Sequence, residues 1–280
     1  MASETDAHLA QPIIAPGELH AAMQLTQRRL RIVDLSRPEA FAQGHVPGAA
    51  HLDYARVIRK VPPSGGLVPE PEALYTLLRD LGIDAHTHVV AYDGEGGAKA
   101  SRLLWTLNAF GHRQGSLLDG GIAHWNAEGL PLELEPAALT SAPDYRPAYT
   151  GAGVDDYASI AARLGSDELC LVDARSPGEF RGEDVRARRG GHIPGAVNVE
   201  WTELLILSPY RRLRPWSELA ERFAAAGVRQ HQHVVCYCQT HHRSALTWLV
   251  LVAMGYPRVS GYPGSWSDWG NREDAPIEVP

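Results

Sequence analysis

The residues best suited to covalent chemistry lie in one run, Val234-Val-Cys-Tyr-Cys238-Gln-Thr-His-His-Arg243-Ser244. Residues 234–237 read as a short buried strand that stops at Cys238, a polar loop follows, and residues 245–254 form an apolar helix. A strand–loop–helix junction leaves the first helix amides without intrahelical partners, aimed back at the loop. Those amides, the positive end of the helix dipole and the Arg243 charge all favour an anion at the Cys238 side chain. A thiol so placed loses its proton near neutral pH, and the thiolate is the nucleophile. Cys238 is therefore the expected catalytic residue.

The rest of the chain must hold that loop. With 280 residues it is long for one core and comfortable for two domains. Its composition, 44% hydrophobic and 21% charged, is that of a globular protein. A net charge of -7 argues against a nucleic-acid partner, so an anionic substrate must be held by local charge. No stretch approaches the roughly 20 apolar residues that span a bilayer, and the acidic Met1-Ala-Ser-Glu-Thr-Asp start is unlike a signal peptide. The three cysteines, Cys170, Cys236 and Cys238, make no disulfide framework. A soluble cytoplasmic protein is expected, and as two intact domains need no partner, a monomer.

Read in order, residues 1–15 lack periodicity and suggest a surface tail, and a helix is expected from Pro16 to Arg29. Five phrases then recur at an offset of about 140–147 residues. Arg31-Ile-Val-Asp34 returns as Cys170-Leu-Val-Asp173. Gly44-His-Val-Pro-Gly48 returns as Gly191-His-Ile-Pro-Gly195. An amphipathic helix over 72–81 returns over 218–227. His88-Val-Val-Ala-Tyr-Asp93 returns as His233-Val-Val-Cys-Tyr-Cys238, and Asp119 to Trp125 as Pro263 to Trp269. The period is domain-sized, far beyond solenoid repeats. One α/β domain is written twice, as residues 1–135 and 151–280, with a Pro-punctuated linker over 136–150. Strands alternating with helices imply mainly parallel sheets with helices on both faces. Ligands of such sheets bind beyond the carboxyl ends of the strands, where Asp93 and Cys238 both fall.

The copies differ where chemistry matters. Asp93-Gly-Glu-Gly-Gly-Ala-Lys-Ala-Ser101 lacks the nucleophile, carries carboxylates where an anion would sit and is two residues longer. The first copy is expected to be inactive and to help wall the site.

Together, the duplicated domain, Gly-His-Ile-Pro-Gly-Ala, Asp173-Ala-Arg-Ser and the final Gly264-Ser-Trp resemble the rhodanese family over nearly the whole chain. The loop Cys-Gln-Thr-His-His-Arg is similar to that of the Azotobacter-type tandem thiosulfate sulfurtransferases. The resemblance implies two tandem rhodanese-like domains, the second catalytic. Its cysteine would alternate between thiol and persulfide, taking sulfur from thiosulfate and giving it to a thiophile such as cyanide. No metal or organic cofactor is implied; the partners are a small anionic sulfur donor and a thiophilic acceptor. A persulfide anion needs a cradle of converging amides, for which Gln239, Thr240, His241, His242, Arg243 and Ser244 are the candidates. Arg243 adds a permanent charge, and His241 and His242 add charge in acid.

Other readings stand beside this one. Mercaptopyruvate sulfurtransferases share the fold but carry a small neutral loop, whereas two His and an Arg suit a compact dianion. Related phosphatases place five residues between Cys and Arg; here there are four, which makes a smaller ring. A zinc site from Cys236, Cys238, His241 and His242 would need wider paired spacings. A non-catalytic sulfur-carrier module would not require the basic loop. Among accessory residues, Arg186 and Arg175 are candidates for drawing in anions, from a basic stretch that includes Arg181, Arg188 and Arg189. Asp34, Asp173, His45 and His192 recur in both copies and are expected to be structural, and Cys170 and Cys236 to be core.

Overall fold

A computed structural model describes residues 11–25, 29–137 and 144–279, which form two compact units. In the first, a wholly parallel sheet contains β1 (Ile13–Ile14), β2 (Arg29–Asp34), β3 (Ala50–His51), β4 (Thr87–Tyr92) and β5 (Gly115–Leu118), in the order β1-β5-β4-β2-β3. Its helices are α1 (Pro16–Leu25), α2 (Pro38–Gln43), α3 (Pro71–Asp80), α4 (Ala98–Ala109) and α5 (Gly121–Ala127). The second unit repeats the scheme with β6 (Leu169–Asp173), β7 (Val197–Asn198), β8 (His233–Tyr237) and β9 (Val259–Gly261), all parallel, in the order β9-β8-β6-β7. Its helices are α6 (Tyr157–Ala161), α7 (Pro177–Arg181), α8 (Trp216–Ala225), α9 (Arg243–Ala253) and α10 (Ser265–Trp269). A single parallel bridge, Val154 to Gly261, stands where the first unit has β1.

Each central strand is apolar throughout because both its faces are covered. Along β8, Val235 and Tyr237 enter a layer with Ile160 of α6, Phe180 of α7 and Trp266 and Trp269 of α10. Val234 and Cys236 point the other way, toward the side on which α9 packs, and are equally buried. In the first unit Val90 and Tyr92 meet Leu19 and Ala22 of α1, Phe41 of α2 and Trp125 of α5, while α4 packs on β4. The amphipathic helices seat as their spacing predicts, with Leu74, Leu77 and Leu78 of α3 and Leu219 and Phe223 of α8 buried.

The repeat holds down to single hydrogen bonds. His45 stacks on Phe41 at 3.8 Å, and His192 on Phe180 at 3.6 Å. The Nδ1 atoms of the two histidines lie 3.0 and 2.9 Å from the carbonyls of those same phenylalanines. The Tyr92 hydroxyl accepts from the Val46 amide, and the Tyr237 hydroxyl from the Ile193 amide. Trp125 Nε1 donates to the Pro131 carbonyl and Trp269 Nε1 to that of Pro276, each at 2.8 Å. Both histidines are thus structural.

Two expectations are corrected. The proposed surface tail over 1–15 includes an edge strand: Ile13 and Ile14 pair with Leu117 and Leu118, and Ile14 is buried. A two-residue strand is too short to show periodicity; residues 1–10 lie outside the described residues. The first helix, described over Pro16–Leu25, does not reach Arg29, because Arg29 already pairs with Thr87 in the sheet. Residues Arg59–Val61 and Ser64–Leu67 pair as an antiparallel hairpin. Ile58–Val68 belongs to the second unit and Ile206–Leu213 to the first, so these two short segments depart from a simple division of the chain at residue 150.

Candidate active site

Strand β8 ends at Tyr237, whose partner in β6 is Asp173. Cys238 is the next residue, beyond the carboxyl edge of the sheet, with its side chain wholly buried (0% exposed). The loop 239–242 follows, and α9 begins at Arg243 with no side-chain cap, so the Ser244 amide in its first turn is available to the sulfur. Burial alone pushes the Cys238 thiol up. The Arg243 charge, the Ser244 hydroxyl and the amides of Ser244 and Thr240 outweigh it, and hold the thiol below its ordinary value. The other two cysteines go the opposite way. Burial raises Cys170 to about 11 and Cys236 well above the usual thiol range, so of the three thiols Cys238 is the one whose surroundings favour the thiolate.

The loop is clamped from several sides. Its backbone is held by α10: the Trp266 amide donates to the Cys238 carbonyl at 2.9 Å and the Ser267 amide to the Gln239 carbonyl at 3.0 Å. The Cys238 amide donates to Ser265 Oγ at 3.3 Å. His241 has a left-handed backbone, φ 52°, and its Nδ1 is 2.7 Å from Ser244 Oγ. The His241 ring lies so close to Gly261 that a Cβ there would come within 2.1 Å of it. Gln239 Nε2 donates to the Arg186 carbonyl at 3.0 Å, fastening the loop to the basic stretch.

The hairpin of residues 58–68 also reaches this loop. A Cβ on Gly66 would fall 2.0 Å from the Thr240 carbonyl oxygen, and the Gly65 amide donates to Ser267 Oγ at 3.2 Å. Glycine at 66 is required for the backbone approach itself. The sequence carried no local sign of this, since the two segments are far apart in the chain.

The seven predicted loop and substrate residues divide on inspection. Thr240, Arg243 and Ser244 act on the thiol, while Gln239 binds the Arg186 carbonyl and the His241 ring packs against Gly261; Arg243 is not a free cation. Its Nη1 and Nη2 donate to both carboxylate oxygens of Glu179, at 2.6 and 2.9 Å. Arg186, 60% exposed, lies 3.5 Å from that same carboxylate and is the cation that faces solvent. Arg175 is corrected from anion attractor to structural residue. It is 1% exposed, forks onto Asp173 and lies 4.4 Å above the Trp266 ring. Glu179 escaped the sequence reading, although Ser176-Pro-Gly-Glu179 is a capping box and the structure forms it. Among the described residues, no group of three His, Cys, Asp or Glu could hold a metal ion. No helix among them is long and apolar enough to cross a membrane.

In the first unit the equivalent place is taken by a carboxylate. Asp93 Oδ1 accepts from the amides of Glu95 and Gly97 at 2.7 and 2.9 Å, and Oδ2 from that of Ala100 at 2.9 Å. The chain itself thus supplies the anion that these converging amides attract.

The sequence profile of the rhodanese-like domain matches residues 15–128 and 156–272. The chain is 42% identical over 268 residues to the thiosulfate sulfurtransferase of Azotobacter vinelandii, covering 95% of this chain and 97% of that one. It is 40% identical over 272 residues to the thiosulfate sulfurtransferase of Pseudomonas aeruginosa, with the same coverage. Identity to the 3-mercaptopyruvate sulfurtransferase of Escherichia coli K12 is 31% over 248 residues, covering 88% and 87% of the two chains. Among solved structures, the anaerobic ergothioneine biosynthesis enzyme of Chlorobium limicola superposes with a TM-score of 0.85 over 96% of this chain and 70% of that one. At 23% identity that match speaks to the fold.

Proposed function

The chain belongs to the rhodanese family, and from that premise we propose that it is a thiosulfate sulfurtransferase working through a persulfide on Cys238. The observation that carries this reading is the thiol beyond the end of β8, held below its ordinary value by Arg243, Ser244 and loop amides despite complete burial. In the proposed cycle the thiolate attacks the outer sulfur of thiosulfate. The sulfur–sulfur bond of the donor breaks, sulfite leaves with the bonding pair, and Cys238 carries a terminal persulfide anion. Cyanide or another thiophile then attacks that outer sulfur, and the electron pair returns to the thiolate. Each step is a displacement at sulfur that needs neither metal nor organic cofactor.

The amides of Thr240 and Ser244, which already meet the thiolate, are placed to follow the charge as it moves one atom outward. Gln239, His241, His242 and Arg243 complete the wall, and Arg186 supplies a solvent-facing charge at its rim. With Arg243 forked onto Glu179, the amides carry more of the anion binding than the loop's composition suggests. A donor as small as thiosulfate suits a ring with four residues between Cys238 and Arg243. Activity in the cytoplasm as a monomer completes the proposal.

The test is to incubate the purified protein with thiosulfate and weigh it intact beside Cys238→Ser. A gain of about 32 Da, reversed by cyanide and absent from the variant, is expected for a persulfide on the thiolate nucleophile. A gain with 3-mercaptopyruvate alone would change the donor. No adduct with either would end the sulfur-transfer reading.

A further inference from the structure

Among the described residues, two that are not glycine have a positive φ, His241 at 52° and Ser265 at 51°. That backbone region is uncommon for residues with a side chain, and such outliers gather where surrounding structure enforces them. His241 belongs to the catalytic loop. Ser265 lies 27 residues beyond Cys238, yet its hydroxyl accepts the Cys238 amide hydrogen at 3.3 Å and donates its own to the Tyr262 carbonyl at 2.7 Å. It is wholly buried.

The internal repeat shows what this position demands of the fold alone. In the first unit the equivalent residue is Gly121, with φ 54°, at the start of α5 as Ser265 is at the start of α10. The register is secured by the Trp125–Pro131 and Trp269–Pro276 hydrogen bonds that follow in each copy. A Cβ on Gly121 would come within 2.7 Å of the Asp93 carbonyl. The copy without a nucleophile therefore has the residue that this backbone favours. The copy with the nucleophile has a serine in the same strained conformation, and that side chain binds the nucleophile's own amide.

We propose that Ser265 is a positioning residue for sulfur transfer, fixing the Cys238 backbone so that the sulfur meets the amides of Thr240 and Ser244. This rests on the reading of Cys238 as the persulfide carrier. The hydroxyl holds the amide end of Cys238 while the Trp266 amide holds its carbonyl, so both peptide groups of the nucleophile are fixed from one helix terminus. Without the hydroxyl, a buried amide is left without its acceptor and the loop can rotate, which moves the sulfur off the point where the amides converge.

Full-length Ser265→Gly and Ser265→Ala separate the hydroxyl from the backbone. Glycine removes the strain and the hydroxyl together, whereas alanine removes only the hydroxyl. Both variants are expected to load sulfur about tenfold more slowly than wild type. In both, the pH midpoint of Cys238 alkylation by iodoacetamide, followed by peptide mass, moves up. The unfolding temperature of the glycine variant stays at or above that of wild type, while that of the alanine variant falls. Wild-type loading in Ser265→Gly would overturn the proposal. So would slow loading with an unmoved alkylation midpoint, since the hydroxyl would then act elsewhere. The alkylation profile needs no sulfur donor, so failure of wild type to take sulfur would sink the persulfide reading without deciding the placement of the thiolate.

Discussion

Glu179 and Arg243 form a two-pronged ion pair, at 2.6 and 2.9 Å, between the start of α9 and α7. The carboxylate is 1% exposed. Burial alone would raise it, but Arg243 dominates and brings it down to about 2. The cation that faces the Cys238 thiolate is thus already shared with a carboxylate, and the pair aims the guanidinium as well as charging it.

The two partners should act on the thiol with opposite signs. Arg243→Ala removes the largest influence that favours the thiolate, so the midpoint of Cys238 alkylation rises. It also leaves buried Glu179 with only the exposed Arg186 and its Ser176 bonds, at a cost of about 3 kcal/mol in stability. Glu179→Gln keeps the shape and frees the guanidinium charge, so the midpoint falls. Shifts of the same sign in the two variants would remove charge pairing as the controlling device.

Ser244 is expected to matter through its hydroxyl, which binds the Cys238 sulfur. Ser244→Ala should raise the alkylation midpoint and slow sulfur loading at neutral pH by about tenfold. Stopped-flow loading with thiosulfate at several pH values would read this. A uniform slowing at every pH would point to packing instead.

Gly66 tests the loop from its outer side. In Gly66→Ala the new methyl meets the Thr240 carbonyl, which is backbone and cannot swing aside, so the loop must move. Displacement by about 1 Å should reduce loading about a hundredfold. Gly65→Ala meets only the Thr240 Cγ2 atom, at 3.1 Å, and should be milder. Equal rates in the two variants would refute the contact.

Asp93 is a structural anion. Asp93→Ala leaves three amides without their acceptor and should cost about 2–3 kcal/mol, seen as a lower urea midpoint. Sulfur loading of the folded protein should be unchanged, since Cys238 has its own amides.

Acid should unfold the second unit through two carboxylates. Asp155 accepts from Arg163, Ser159 and Ser260 and lies 3.2 Å from His233 Nε2. Burial works against its charged form, but these partners hold it at about 2, as Arg243 holds Glu179. Both folded values lie below the roughly 4 of an unfolded carboxyl. Their contribution is complete above pH 4 and is lost as pH falls through 2. Urea midpoints from pH 5 to pH 2 should decline over that window, less steeply in Glu179→Gln. A flat profile would contradict the pairing.

Much of this was legible in the chain. The duplicated phrases predicted two α/β units, and the same phrases turn out to be the same hydrogen bonds, His45 with Phe41 and His192 with Phe180. An apolar run of four residues leading into Cys238 placed that thiol just past a strand end, because a strand buried on both faces must be apolar and its carboxyl end must open on a loop. Edge features were less visible: Ile13 and Ile14 make two residues of sheet, too few to set a pattern.

Sequence by itself determined the two-domain plan, and it singled out Cys238 as the candidate nucleophile and Asp93 as the residue in its place in the first copy, since local pattern and the internal repeat encode all three. Tertiary structure alone decided how each charge is paired. Arg243 is committed to Glu179 and Arg175 to Asp173, while Arg186 reaches the same Glu179 carboxylate from an exposed position, although all three arginines look alike in the chain. It also brought Gly66 and Ser265 to the loop, from 172 residues before Cys238 and 27 after it. The physical reason is that pairing and burial depend on distance in space, which parallel sheets with long crossovers separate widely from distance along the chain.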